Sequence, residues 1–320
     1  MLWQRILFGS VMIAALVGLL LLDAWLAAGL PNQSGPAHEF RSHPPTRLWG
    51  LPTVSVTAVL AFFAALEFGL MLKSAGYAPA RFWAAIISVG LVVLPWVEQM
   101  TATTAARSAA GSALGPTATP VWLMGGLVGT CLLILARRRT QGAIAAIATT
   151  FLIISYVGLL GSFLIRIRCL APGPAGAILI LYAVLCIKSC DIGAYLLGRI
   201  FGRTPLAPWL SPKKTVEGFV AGLIMSCLMA TGGMAAWGAW GSATLGQSPL
   251  GLLQALVFGI VMAVMGHLGD LTESAFKRDV GVKDSGAVVA SFGGFLDILD
   301  SPWFAAPAAW WLLTFLGAMR

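Results

Sequence analysis

Charge is what this chain has least of. Only 10% of its 320 residues are Asp, Glu, Lys or Arg, where a soluble domain carries roughly a quarter. With 58% hydrophobic residues and a mean hydropathy of +0.88, an ordinary soluble domain is excluded. Cysteine is scarce too. Its five residues are odd in number and lie mostly inside apolar runs, which excludes a disulfide framework. Cys186 and Cys190 are spaced i, i+4, but no further Cys or His completes a zinc set around them. His38 and His43 stand in a polar, Pro-rich stretch without a third ligand. No Ser-His-Asp or Cys-His set is evident. The net charge of +8 does not point to nucleic acid, because membrane proteins carry excess Lys and Arg on their cytoplasmic side. It also suits an anionic lipid surface.

What is present is a succession of long apolar runs. At about twenty residues per crossing, the expected fold is all-α: a polytopic integral membrane protein with about nine transmembrane helices and a polar site facing the cytoplasm. The runs fall at about 6–30, 51–72, 82–100, 120–136, 142–165, 175–197, 216–237, 250–268 and 302–319. The first is too long for a removable signal peptide and lacks a small-residue cleavage site, so it reads as a span. Five spans make an N-terminal membrane region, 1–174; four more, with charged loops, make a C-terminal region, 175–320. With the N-terminus inside, inner loops hold thirteen of the Lys and Arg residues and outer positions six, Arg166 and Arg168 among the latter. Asp23 is expected at the interface. Glu67 is either functional or paired with Lys73 or Arg81.

Against this apolar background, one segment stands apart. From Gly269 to Ser301 the chain holds six of its twelve acids and three of its twenty basic residues. Carboxylates in a membrane chain are costly unless metal ions, protons or charged substrates use them. A solvated loop obeying topology would call for Lys and Arg, not acids beside apolar spans. If the chain is helical from Gly269 to Arg278, then Asp270, Glu273 or Ser274, and Lys277 share one face. Asp297 and Asp300, at i, i+3, share another. The Gly-rich stretch between, with Lys283 and Asp284, reads as a loop. Hard divalent ions take carboxylate oxygens, and phosphates take Lys and Arg, so a metal-plus-phosphate site is indicated.

A second informative stretch precedes it. Asp191, Tyr195 and Arg199 recur at i, i+4, i+8 on one helix face. Ser211-Pro212-Lys213-Lys214-Thr215 reads as a helix start, with a capping hydroxyl, Pro at the first helical position and an early acid in Glu217. A helix N-terminus beside two lysines suits phosphate.

These two stretches resemble the signatures of the phosphatidate cytidylyltransferase (CDP-diacylglycerol synthase) family. The longer signature matches at Ser274, Phe276, Lys277, Arg278, Lys283, Asp284, Gly286, Gly293, Gly294, Asp297 and Asp300. It departs at Val289, at Ala290, at Phe292 where His is expected and at Ile298 where Arg is expected. The shorter block, from Asp191 through Gly218, matches at every fixed position. Together they cover about 188–301.

The resemblance implies transfer of a cytidylyl group from CTP to phosphatidic acid, giving CDP-diacylglycerol and pyrophosphate. One polyanion must attack another, so neutralising and aligning groups matter more than a strong base. Asp270 and Asp297 are expected as principal ligands of Mg²⁺, with Asp284 and Asp300 as further ligands and room for a second cation. Lys277, Arg278 and Lys283 would hold phosphates. Ser211, Lys214 and Thr215 would cradle a phosphate, with Asp191, Tyr195, Arg199, Glu217, Gly293 and Gly294 lining the substrate site. Phe292 and Ile298 remove a donor and a cation, and imply reduced or altered activity. Expected partners are CTP, phosphatidic acid, membrane lipid and a second copy of the chain, with no nucleic acid. Two other readings are a CTP-dependent lipid or polyprenol kinase, and a non-catalytic paralogue or transporter.

Overall fold

The computed structural model describes residues 14–26, 50–105, 118–138, 140–171, 173–282 and 294–317. Among them the chain is helical almost throughout: α1 Ala14–Leu26, α2 Leu51–Ser74, α3 Arg81–Ala105, α4 Ala118–Ala136, α5 Ala143–Arg168 and α6 Gly173–Phe201. A two-stranded hairpin follows, β1 Pro205–Ala207 and β2 Ser211–Thr215. Then come α7 Val216–Gly241, α8 Leu252–Asp279 and α9 Phe295–Gly317. Seven of these helices, α2 to α8, are long and apolar enough to cross a membrane. The chain is therefore an all-α, multi-pass membrane protein.

The helices show why periodicity alone would mislead here. α4 is apolar on every side, with Val121, Leu132 and Leu135 exposed although nothing polar faces them. In water such a surface would be ruinous; in a bilayer, lipid tails cover it. Contacts between helices instead use small residues. In α7 and α8, Ser226 Oγ donates to the Gly259 carbonyl at 2.9 Å, and the Tyr182 hydroxyl of α6 donates to the Ala230 carbonyl at 3.1 Å.

The chain forms two compact units, Met1–Ala177 with Asp284–Leu296, and Ile178–Lys283 with Asp297–Arg320. The first unit is pinned by a buried ion pair. Arg168 Nε lies 2.7 Å from Asp23 Oδ2, and both side chains are fully buried. Asp23 also accepts from the Gly50 N–H at 3.1 Å and from Thr53 Oγ1 at 2.5 Å. Asp23, expected near the end of the first span, and Arg168, expected just beyond the fifth, are thus a buried pair, with Arg168 the last residue of α5. The two charges stay in apolar protein because each neutralises the other. Glu67 is likewise not paired with Lys73 or Arg81. It is buried, and its Oε2 accepts the Phe295 N–H at the start of α9, at 2.7 Å.

The stretch Ser211–Thr215 is a strand, not the start of a helix. It pairs antiparallel with β1, Pro205 opposite Thr215 and Ala207 opposite Ser211. The helix begins one residue later, at Val216, with Thr215 as its N-cap: Thr215 Oγ1 accepts the Gly218 N–H at 3.2 Å. Pro212 fits an edge strand as well as a helix start, so the local pattern was degenerate and strand pairing decided it.

Candidate active site

α8 does not end at the membrane run, near residue 268. It continues through the charged segment to Asp279, and this places Asp270, Glu273 and Lys277 on one face. Facing them is the first part of α9, with Asp297 and Asp300. The two helices touch at Gly269, where a Cβ would lie 2.8 Å from the Asp300 carbonyl oxygen and 2.8 Å from Phe304 Cβ. Glycine there is what lets the neighbouring Asp270 come close to Asp300.

Asp270, Glu273 and Asp300 each present one carboxylate oxygen, all within 4.8 Å of one another. Glu273 and Asp300 are buried. Glu273 Oε2 lies 3.0 Å from Lys277 Nζ, while Glu273 Oε1 is out of solvent with no hydrogen-bond partner. Lys277 Nζ also reaches Asp297 Oδ1 at 2.9 Å. Lys214, from β2, stands 2.5 Å from Asp270 Oδ2, as an ion pair without hydrogen-bonding alignment. Lys188 Nζ lies 3.0 Å from Asp191 Oδ2 on α6 and also feels Asp300 and Asp270. Burial pushes the Asp300 carboxyl above its ordinary range, and the charge of Asp270 adds to this while Lys188 opposes it.

Among the described residues the arrangement is short of positive charge. Five carboxylates (Asp191, Asp270, Glu273, Asp297, Asp300) meet three ammonium groups (Lys188, Lys214, Lys277). An unpaired carboxylate oxygen in apolar surroundings costs several kcal/mol, on the order given for buried ions. Three hard oxygen donors and a deficit of two charges fit a divalent cation of the Mg²⁺ type.

The expected site residues divide into those brought together and those placed elsewhere. Asp270, Asp300, Asp297, Lys277, Lys214 and Asp191 converge as described. Asp297 contacts Lys277, and the oxygen completing the three-carboxylate group belongs to Glu273. Sequence reasoning placed Glu273 on the right face but gave it no metal role; its spacing of three from Asp270 was the available signal. Arg278 is exposed, with Nε 3.5 Å from the Leu210 carbonyl of the hairpin. Tyr195 and Arg199 are exposed on α6, and Ser211 lies in the ladder.

The Glu217 carboxylate is occupied by backbone: it accepts from the Arg203 N–H at 3.1 Å, and from the Thr204 N–H and hydroxyl at 3.1 and 2.8 Å. It holds the chain entering the hairpin. The motif's glycines serve the same joint, since a Cβ on Gly218 would lie 2.9 Å from the Ala194 carbonyl oxygen and 3.1 Å from Gly198 Cα. Gly294 lies in the first unit, where a Cβ would collide with the Glu67 carboxylate. Lys283, Asp284 and Gly293, like Phe292, lie outside the described residues. His267, outside the expected set, is buried against Cys190 Sγ, 3.5 Å from Nδ1, and against the Phe219 ring.

The described residues thus gather carboxylates and lysines at one locus of a helical membrane scaffold, and comparison with known proteins gives the family. The cytidylyltransferase family model matches residues 47–316, most of the chain. The chain belongs to the cytidylyltransferase family. A Bacillus subtilis protein named phosphatidate cytidylyltransferase is 38% identical over 158 residues, which is 49% of this chain and 55% of its own length. Proteins of the same name from Synechocystis and Staphylococcus saprophyticus are 35% identical over 201 residues and 40% identical over 154, covering 55% and 48% of this chain. The matches span 54–65% of the length of these relatives.

Proposed function

We propose that this protein transfers the cytidylyl group of CTP to phosphatidic acid, forming CDP-diacylglycerol and releasing pyrophosphate. The observation that carries the reading is the buried, unpaired oxygen of Glu273 within the Asp270–Glu273–Asp300 group, with Lys214 and Lys277 beside it. The family membership and the names of the relatives support the same substrates.

In the proposed reaction a phosphate oxygen of phosphatidic acid bonds to the α-phosphorus of CTP, and the bond to the bridging oxygen of the β-phosphate breaks. The attacking oxygen is already anionic, so no strong base is needed. The difficulty is repulsion between two polyanions. Asp270, Glu273 and Asp300 would hold a divalent cation, with Asp297 beside them through Lys277; the family resemblance adds Asp284 as a further ligand. Such an ion, when bound, polarises phosphoryl oxygens and offsets the charge of the leaving group. Lys277, bridging Glu273 and Asp297, keeps a cation fixed against the carboxylates and can turn toward phosphate. Lys214 sits on a strand whose pairing holds its backbone still, and its ammonium, poorly aligned with Asp270, is available to a phosphate oxygen. Arg278 and Lys283 would add contacts to the nucleotide or the lipid head group.

We further infer that this site faces the cytoplasm, from the excess of Lys and Arg on that side of the expected topology, and that the working form is a homodimer without a nucleic-acid partner. Purified protein in detergent with labelled CTP, phosphatidic acid and Mg²⁺ should yield a labelled liponucleotide and pyrophosphate. Release of CDP with a phosphorylated lipid would identify a kinase instead and defeat the proposal. Cross-linking in membranes tests the dimer.

A further inference from the structure

The first unit holds a second group of cations, far from neutral and with no acid in it. Lys73 lies in the last turn of α2, Arg81 opens α3, and Arg137 directly follows α4. All three line one cavity of about 550 Å³. Its lining contains no Asp or Glu. Among the described residues, no carboxylate comes within ion-pair distance of any of the three. The cavity is built rather than incidental. Arg137 Nη1 donates to the Ala78 carbonyl at 2.9 Å, which ties the end of α4 to the turn between α2 and α3. Gly69 allows the start of α3 to close on α2, since a Cβ there would lie 2.5 Å from Arg81 Cβ.

The rest of the lining is of opposite character. Phe82, Ile86 and Leu133 are 59%, 55% and 39% exposed, and Trp83 and Tyr77 complete the wall. Trp83 is anchored by its indole N–H, which donates to the Gly126 carbonyl at 3.1 Å. The cations sit at the ends of three spanning helices, the depth at which head groups lie, and Trp and Tyr favour that same level. Three positive charges with no carboxylate beside them among the described residues call for an anion. The apolar strip running along α3 and α4 calls for a hydrocarbon chain. A soluble phosphate would answer the first demand and leave the second unmet.

We propose that this cavity binds one anionic glycerophospholipid of the surrounding bilayer. Its phosphate sits among Lys73, Arg81 and Arg137, and an acyl chain lies along Phe82, Ile86 and Leu133. All of these residues belong to the first unit, and the inference does not depend on the reaction proposed above. The bound lipid would link the α2–α3 turn to the end of α4.

The test is native mass spectrometry of the full chain released from detergent micelles containing dioleoylphosphatidylglycerol or dioleoylphosphatidylcholine. The wild type should retain one phosphatidylglycerol in preference to phosphatidylcholine by on the order of tenfold, as expected for a few cations at a membrane surface. The Lys73→Gln/Arg81→Gln/Arg137→Gln variant should lose that preference. Ile86→Trp, which fills the apolar strip at an exposed position and keeps every charge, should lose the lipid too, so the proposal stays testable if the triple variant does not fold. Excess glycerol 3-phosphate should fail to displace the lipid. Retention of phosphatidylglycerol by Ile86→Trp at the wild-type level, equal retention of both lipids by the wild type, or displacement by glycerol 3-phosphate would overturn the proposal.

Discussion

Both units carry buried charge, and they treat it in opposite ways. In the first, Asp23 and Arg168 are fully buried and form a one-to-one pair, with Gly50 and Thr53 donating further hydrogen bonds to the carboxylate. In the second, among the described residues, five carboxylates share three lysines, and a Glu273 oxygen is left unpaired. A one-to-one pair is neutral in itself and holds structure together. An unbalanced group in apolar surroundings is stabilised by taking up protons or a cation. Buried charge in a membrane protein is thus not in itself a sign of function; the sign is the mismatch.

The comparison can be broken most forcefully at the pair. Asp23→Ala removes the carboxylate paired with the fully buried Arg168, and should cost about 3–5 kcal/mol of stability, read as a loss of folded protein in a thermal or denaturant series. The molecules that remain folded should turn over normally; a purely catalytic defect with normal stability would place the pair in the reaction rather than in the scaffold.

Glu273→Gln acts in the other direction. On the proposed reading it should lower the rate of liponucleotide formation by on the order of a hundredfold, because the group proposed to hold a cation loses a carboxylate. In metal-free buffer it should unfold no more easily than the wild type, since it removes charge from a crowded group. Wild-type activity in this variant would remove Glu273 from the site.

Lys214→Gln should weaken the substrate interaction by about tenfold, as loss of one charge-assisted contact to phosphate implies, with the change in KM for CTP or phosphatidic acid showing which phosphate it holds. An unchanged KM and kcat would make Lys214 merely a partner of Asp270. The smallest effect is a gain. Restoring the family residue with Ile298→Arg or Phe292→His should raise activity a few-fold; no gain from either would mean that the departures are compensated elsewhere.

The one-face arrangement of Asp270, Glu273 and Lys277 was readable from the sequence, because side-chain spacing on a helix is a local property. So was the N-terminal capping role of a hydroxyl in the 211–215 stretch, although the residue was misplaced: Ser211 pairs in a strand and Thr215 caps α7. That error has a physical origin. Ser-Pro at a helix start and Ser-Pro on a strand edge satisfy the same local rules, and only the presence of β1 across the ladder separates them. The pairing of Asp297 with Lys277, and the entry of Glu273 into the carboxylate group, turn on how α8 and α9 meet at Gly269. No spacing within either helix encodes that contact.

By itself, then, the order of residues determined that this chain is a bundle of membrane helices with charge gathered in two stretches, and it carried the signature that marks the family. These are properties of apolar length and helical period, which act over a few turns of chain. Tertiary structure alone decided which charges are neutralised and which are left wanting a partner. The coulombic balance of a buried group is set by neighbours in space, and Asp23 finds its counter-ion in a residue 145 positions away.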